Sequence, residues 1–114
     1  MDRPFPVISV YILTFNNERT IEACLKSVSP HADEVVVLDS GSTDDTLRLC
    51  EDYGVRLYHQ DWVGHKKQYQ KAAGLTKNTW TLFVDADEVV PEALWEELKN
   101  AIIMDKGAYD GYVV

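Results

Sequence analysis

Trp80-Thr81-Leu82-Phe83-Val84-Asp85-Ala86-Asp87-Glu88 decides how the rest of the chain is read. An apolar run rich in aromatic and β-branched residues stops at three carboxylates within four positions. Leu82 to Val84 reads as a central parallel strand, apolar on both faces. Its carboxyl end delivers Asp85 and Asp87 at i and i+2, so both side chains leave an extended backbone on the same side. Paired carboxylates repel unless something positive lies between them. A hard divalent cation with oxygen ligands, shared with substrate phosphates, is the usual solution. A single Asp-x-Asp is a weak motif, because acids also favour the first turn of a following helix, here near Pro91 and Glu92.

Upstream, strands and helices alternate. Val7 to Phe15 is a strand candidate that runs into Thr14-Phe15-Asn16-Asn17-Glu18, where an asparagine can cap a helix carrying Ile21, Leu25 and Val28 on one face, ended by Pro30. Val35 to Leu38 reads as a second buried strand closing at Asp39-Ser40-Gly41-Ser42-Thr43-Asp44. A helix with Leu47 and Cys50 on one face follows and stops at Gly54. Val55 to His59 is a third strand. The passage Gln60-Asp61-Trp62-Val63-Gly64 leads into a helix from about His65 to Thr76. Beyond the opening stretch, Pro91 starts a helix with Leu94, Leu98 and Ile102 in one stripe, and Gly111 to Val114 begins another strand. The expected fold is α/β, a mainly parallel sheet with helices on both faces. Such sheets bind ligands at the carboxyl ends of their strands, where strand order reverses. The polar clusters at Thr14–Glu18, Asp39–Asp44 and Asp85–Glu88 should therefore meet on one rim.

Composition bounds the function. The 114 residues, 46% of them apolar, are enough for one domain with a core. Eleven basic against 19 acidic residues give a net charge of −8, which argues against general nucleic-acid binding and suits a site that gains positive charge from a metal. Cys24 and Cys50 lack zinc spacing and read as reduced, buried residues. No apolar run reaches transmembrane length and the first residues do not resemble a signal peptide, so a cytoplasmic location is expected. Work at the inner face of a membrane is compatible with it. There is no G-x-G-x-x-G after the first strand, no P-loop and no nucleophile elbow.

Individual residues carry competing readings. Ser40 to Asp44 makes a good turn and cap whatever else it does. Asp39, the last strand residue, can accept an N–H from a bound base. Lys66, Lys67, Lys71 and Lys77 read as a solvated face, although Lys67 and Lys71 are one turn apart and, with Gly64 and Gln68, could approach a diphosphate. Trp62 reads first as packing and second as a stacking surface. No partner is expected for His31, His59 or His65, so no triad is drawn.

Taken together, Ile8-Ser9-Val10-Tyr11-Ile12-Leu13-Thr14-Phe15-Asn16-Asn17-Glu18, Val36-Val37-Leu38-Asp39-Ser40-Gly41-Ser42-Thr43-Asp44 and Phe83-Val84-Asp85-Ala86-Asp87-Glu88 resemble glycosyltransferase family 2. With Asp61-Trp62-Val63-Gly64 and Gln68, the chain is similar to the lipopolysaccharide-core glucosyltransferase-like branch, over nearly all of it from Val7. The resemblance implies a Rossmann-like GT-A fold that binds a nucleoside diphosphate sugar, commonly a UDP-sugar, with Mg²⁺ or Mn²⁺. It implies that Thr14, Asn16 and Glu18, with Gly41 and Asp44, lie around the nucleotide and that Asp39 recognises the uracil. Gly64 and Gln68 would lie near the diphosphate and donor sugar. Asp87 would bind the metal directly, while Asp85 would face the ribose or a metal-bound water. Gln70 stands where relatives often have asparagine, and Val90 where a capping Ser or Thr is common.

The implied reaction is an inverting displacement onto a saccharide or glycolipid acceptor. The implied base is an acidic residue beyond the fifth strand, so no catalytic residue is assigned among residues 1–114. The chain is expected to be a donor-binding half that transfers little sugar alone, with a sheet edge near Tyr112 to Val114 through which it could self-associate. Two rivals contrast with this reading. A phosphoacceptor receiver needs an acidic pair after its first strand, where Asn16-Asn17 stands. A non-catalytic module would keep the fold for assembly or nucleotide binding only.

Overall fold

The apolar run after Val7 forms β1 (Ile8–Thr14), and Ile8, Val10 and Ile12 alternate onto one buried face as a period of two requires. In the computed structural model, residues 7–78, 80–105 and 111–113 are described, with side chains through residue 101. The elements that follow are α1 (Ile21–Val28), β2 (Glu34–Asp39), α2 (Thr46–Glu51), β3 (Arg56–His59), α3 (His65–Gly74), β4 (Trp80–Phe83), α4 (Glu92–Asp105) and β5 (Gly111–Val113). Every paired strand is parallel, in the order β3-β2-β1-β4-β5. The chain steps outward from β1 to β3, then returns to add β4 on the other side of β1. Strand order therefore reverses between β1 and β4.

The larger core lies on one face of the sheet. It joins Ile8, Val10, Ile12 and Val37 to Ile21, Cys24, Leu25 and Val28 of α1, Cys50 of α2, and Trp95 and Leu98 of α4. Ile21, Cys24, Leu25 and Val28 repeat at helical spacing and all are buried, so one stripe of α1 seals that face. Trp95 is the largest fully buried side chain, and its indole N–H donates to the Ser27 carbonyl at 2.9 Å. That bond satisfies the ring's only polar atom. Replacing Trp95 with alanine should cost roughly 3–5 kcal/mol. The opposite face is covered by α3, where Gln68 and Ala72 are buried and Tyr69 meets Phe83 of β4 edge-on.

Several local expectations are corrected. No side-chain cap starts α1; Thr20 precedes it, and Asn17 contributes only its backbone carbonyl to the Thr20 and Ile21 N–H groups. Val90 does not behave as a missing cap. It is buried, and its N–H donates to the Ser27 hydroxyl, while the Pro91 carbonyl accepts from Leu94 and Trp95. The expected stripe on α4 includes Leu98, but its most buried described member is Trp95, and Ile102 lies outside the described side chains. The strand expected at Gly111 is present as the sheet edge, and the apolar surface expected around Tyr112 to Val114 also lies outside the described side chains. Among the described residues, no helix is long and apolar enough to cross a membrane.

Candidate functional site

The reversal of strand order sets the site at the carboxyl ends of β1 and β4. There a hollow of about 460 Å³ is lined by Leu13, Thr14 and Phe15 from β1 and its loop, Ser40 after β2, Trp62, His65 and Tyr69 around the start of α3, and Phe83 and Asp85 at the end of β4. Asn17 completes the lining. That volume falls within the range of small-ligand sites. A second hollow of about 420 Å³ lies at the amino ends of the strands. Its guanidinium, from Arg56, is already taken by Glu34, the Leu75 carbonyl and the Tyr58 hydroxyl, so that end offers less to a ligand.

Between β1 and β2, side chains hold two loops together. Asp39 is 2% exposed, and both carboxylate oxygens are occupied. Oδ1 accepts from the Thr14 hydroxyl and the Ser42 hydroxyl, both at 2.6 Å. Oδ2 accepts the N–H groups of Gly41 at 2.8 Å and Ser42 at 2.7 Å. Burial alone would raise this carboxyl's pKa, but the donors from Ser42, Thr14 and Gly41 prevail and hold it below the ordinary aspartate value. Gly41 takes φ +115°, a region open to glycine, which lets its N–H turn back onto Asp39.

Asn16 performs the complementary task from the β1 loop. It sits at φ +52°, tolerated by asparagine, and its Oδ1 accepts from the Thr43 and Asp44 N–H groups. Its own N–H donates to the Ser42 hydroxyl at 2.8 Å. Asp44 accepts from the Glu18 N–H and from both polar groups of Thr46, and the Thr46 hydroxyl accepts from the Asn17 N–H. Asp44 thus supplies the polar contact at the start of α2, where Asp45 as N-cap makes no side-chain cap.

The acidic motif differs from its expected form. β4 ends at Phe83, and Asp85 to Glu88 forms a turn closed by the Glu88 N–H on the Asp85 carbonyl at 3.0 Å. Asp85 and Asp87 therefore leave a turn, not an extended strand; the backbone is pulled round before α4. Both carboxylates are exposed. Glu88's pKa is raised, first by partial desolvation and then by the charge and hydrogen bond of Asp85 and the charge of Asp87. Such crowding favours a proton or a cation. Beneath the turn, the Cys24 thiol contacts the Asp85 carbonyl at 3.5 Å, and burial with the neighbouring acids pushes its pKa up to about 12. Cys24 is a buried, inert thiol. Among the described residues no cluster of three or more His, Cys, Asp or Glu side chains forms a metal cage. Asp85 and Asp87 are the exposed carboxylates there that could contribute oxygen ligands to a divalent cation.

Of the residues expected at the site, Thr14 and Asp85 line the hollow, and Asp39 lies directly behind Thr14. Asn16, Glu18, Gly41 and Asp44 belong to the bonded loop pair beside it, and Asp87 is on the turn. Gly64 precedes α3 at φ +102°, with open space where a Cβ would sit, so backbone conformation alone accounts for the glycine. Gln68 is fully buried; its Nε2 donates to the Ser40 hydroxyl and the Gln60 carbonyl, and Oε1 has no hydrogen-bond partner. It reaches the hollow only through Ser40. Lys66, Lys67, Lys71 and Lys77 are exposed, as a solvated face should be.

Trp62 is the main correction: it is not packed away but 52% exposed on the lining. Nor are the histidines unpartnered, since His31 meets Glu92 at 2.9 Å and His59 meets Asp61 at 2.8 Å. The residues missed by sequence reasoning are the aromatic walls Phe15, His65, Tyr69 and Phe83. Phe15, apolar yet followed directly by polar loop residues, carried the only signal.

Comparison with known proteins fits this geometry. Residues 9–113 match the glycosyl transferase family 2 model. The chain is 39% identical over 92 residues to an uncharacterised glycosyltransferase of Rickettsia bellii, covering 81% of this chain and 31% of that one. It is 34% identical over 100 residues to a lipopolysaccharide core biosynthesis glycosyltransferase of Rhizobium meliloti, covering 83% of this chain and 37% of that protein. It superposes with a TM-score of 0.71, at 29% identity, on glucosyl-3-phosphoglycerate synthase of Mycobacterium tuberculosis in complex with Mn²⁺, UDP and glucosyl-3-phosphoglycerate. That match covers 86% of this chain and 39% of the synthase. The chain spans about a third of the length of the relatives it matches.

Proposed function

This chain belongs to glycosyltransferase family 2, and from that premise we propose that its carboxyl rim binds the nucleoside diphosphate of a sugar donor, a UDP-sugar, for transfer to a saccharide or glycolipid acceptor. The observation that carries this reading is the hollow at the β1–β4 reversal with Asp85 in its wall and Asp87 two residues further on the same turn. Support for the donor's identity comes from the mycobacterial synthase, which holds UDP with Mn²⁺ or Mg²⁺.

In this proposal Asp87 and Asp85 would hold Mg²⁺ or Mn²⁺. Bound there, the cation supplies positive charge that offsets the charge growing on the leaving diphosphate. The chain's own residues orient the donor. His65 opens α3 and lines the hollow, so the positive end of that helix's dipole would favour phosphates bound there. Thr14, Asn17 and Ser40 offer polar groups to the nucleoside. The acceptor hydroxyl attacks the anomeric carbon as the nucleoside diphosphate departs, with inversion, and its proton passes to a general base that is not assigned among residues 1–114. Calorimetric titration with UDP, with and without Mn²⁺, tests the reading. Metal-tightened UDP binding is expected; UDP affinity indifferent to metal would overturn the acidic turn as the cation's seat, and no UDP binding would leave a module that keeps the fold without the donor site.

A further inference from the structure

The rings around the hollow form a continuous series from the sheet to the rim. Tyr11 of β1 tilts against Phe83 of β4 at 5.4 Å, and Phe83 receives Tyr69 edge-on at 4.7 Å. Tyr69 stacks with His65 at 6.1 Å and 24°, and His65 receives Trp62 edge-on at 4.8 Å and 88°. Tyr11 and Phe83 sit on the sheet, Tyr69 and His65 on α3 above it, and the outermost ring, Trp62, is half exposed. The chain's other tryptophans are buried, Trp80 at 9% and Trp95 at 1%. Trp62 is thus a large ring in contact with His65 and half exposed on the lining of a ligand-sized hollow.

At the same rim, the carboxylate expected to read the base has no lone pair to spare, since four donors already occupy the two oxygens of Asp39. A base entering the hollow keeps its edges for hydroxyls such as Ser40, and its faces need a partner. We propose that Trp62 is the stacking platform for the donor's nucleobase, held at its angle by the His65–Tyr69–Phe83 series. Because every base has a π face, this contact adds affinity without choosing among bases. The proposal rests on the donor-binding reading above and adds to it a residue outside the acidic turn.

The test titrates the chain, in Mn²⁺, with UDP and separately with inorganic pyrophosphate, which has no base. It compares the wild type with Trp62→Leu and Trp62→Phe. Leucine keeps the apolar bulk and removes the π face; phenylalanine restores one, and both should fold because Trp62 is half exposed. The expected result is a fall in UDP affinity of roughly 5- to 100-fold for Trp62→Leu. Trp62→Phe should recover most of that loss, and pyrophosphate affinity should be equal in all three proteins. Unchanged UDP affinity in Trp62→Leu, or an equal loss for pyrophosphate, would overturn the stacking role while leaving donor binding intact. Failure of the wild type to bind UDP would instead remove the donor reading, and the platform with it.

Discussion

Asp39 ends β2 and Asp87 lies on the turn after β4, two strands that flank β1 in one parallel sheet, and their environments are opposite. Asp39 is buried and accepts four hydrogen bonds from groups in two loops. Asp87 is exposed on a tight turn beside two further acids. One carboxylate has its charge satisfied by the protein; the other still needs a positive partner. The difference teaches that an acid at a strand's carboxyl end is a ligand group only when the backbone leaves its lone pairs free. Residues that look alike in sequence thus differ in how much of their charge the protein itself satisfies.

Mutations can break that contrast. The largest effect is expected from Asp39→Ala, which leaves the buried Thr14 hydroxyl, the half-buried Ser42 hydroxyl and two backbone N–H groups without their acceptor. Urea unfolding should show a loss of roughly 3–4 kcal/mol. Asn16→Gly should cost about 1 kcal/mol in the same assay: glycine accepts the positive φ but cannot receive the Thr43 and Asp44 N–H groups.

Acid sharpens the comparison further. The folded pKa of Asp39 is lowered, so its contribution is full above the ordinary unfolded aspartate value, about 3.9, and is lost as pH falls from there through the folded value. Unfolding followed between neutral and strongly acidic pH should lose part of that dependence in Asp39→Asn. The smallest effect on folding belongs to Asp87→Ala, within about 0.5 kcal/mol of wild type, because the exposed side chain supports nothing. A large destabilisation there would show that the acidic turn is built for the fold.

The alternation of strands and helices, the parallel sheet and the meeting of three polar clusters on one rim were legible from residue pattern, because buried parallel strands must be apolar on both faces. Asp39 at the end of β2 was legible for the same reason. Its saturation was not, since the donors come from Thr14, which is 25 residues away, and from a glycine whose φ only the folded loop fixes. The turn at Asp85 was hidden because β4 ends one residue before Val84, and apolar character continues past the end of the strand. Tyr69 and Phe83 belong to separate elements, so their meeting depends on how α3 crosses the sheet. Trp62 read as packing because large rings usually are buried; it stands instead in the middle of the stretch between β3 and α3, half exposed.

UDP affinity measured with and without Mn²⁺, in the wild type and in Asp87→Ala, tests the division of roles most directly. Mn²⁺ should tighten the wild type at least about tenfold, near 1.4 kcal/mol. Asp87→Ala, unfolding at the same denaturant midpoint as the wild type, should bind UDP equally with and without the metal. A variant that kept the full metal-linked gain would contradict the assignment of the acidic turn as the cation's seat.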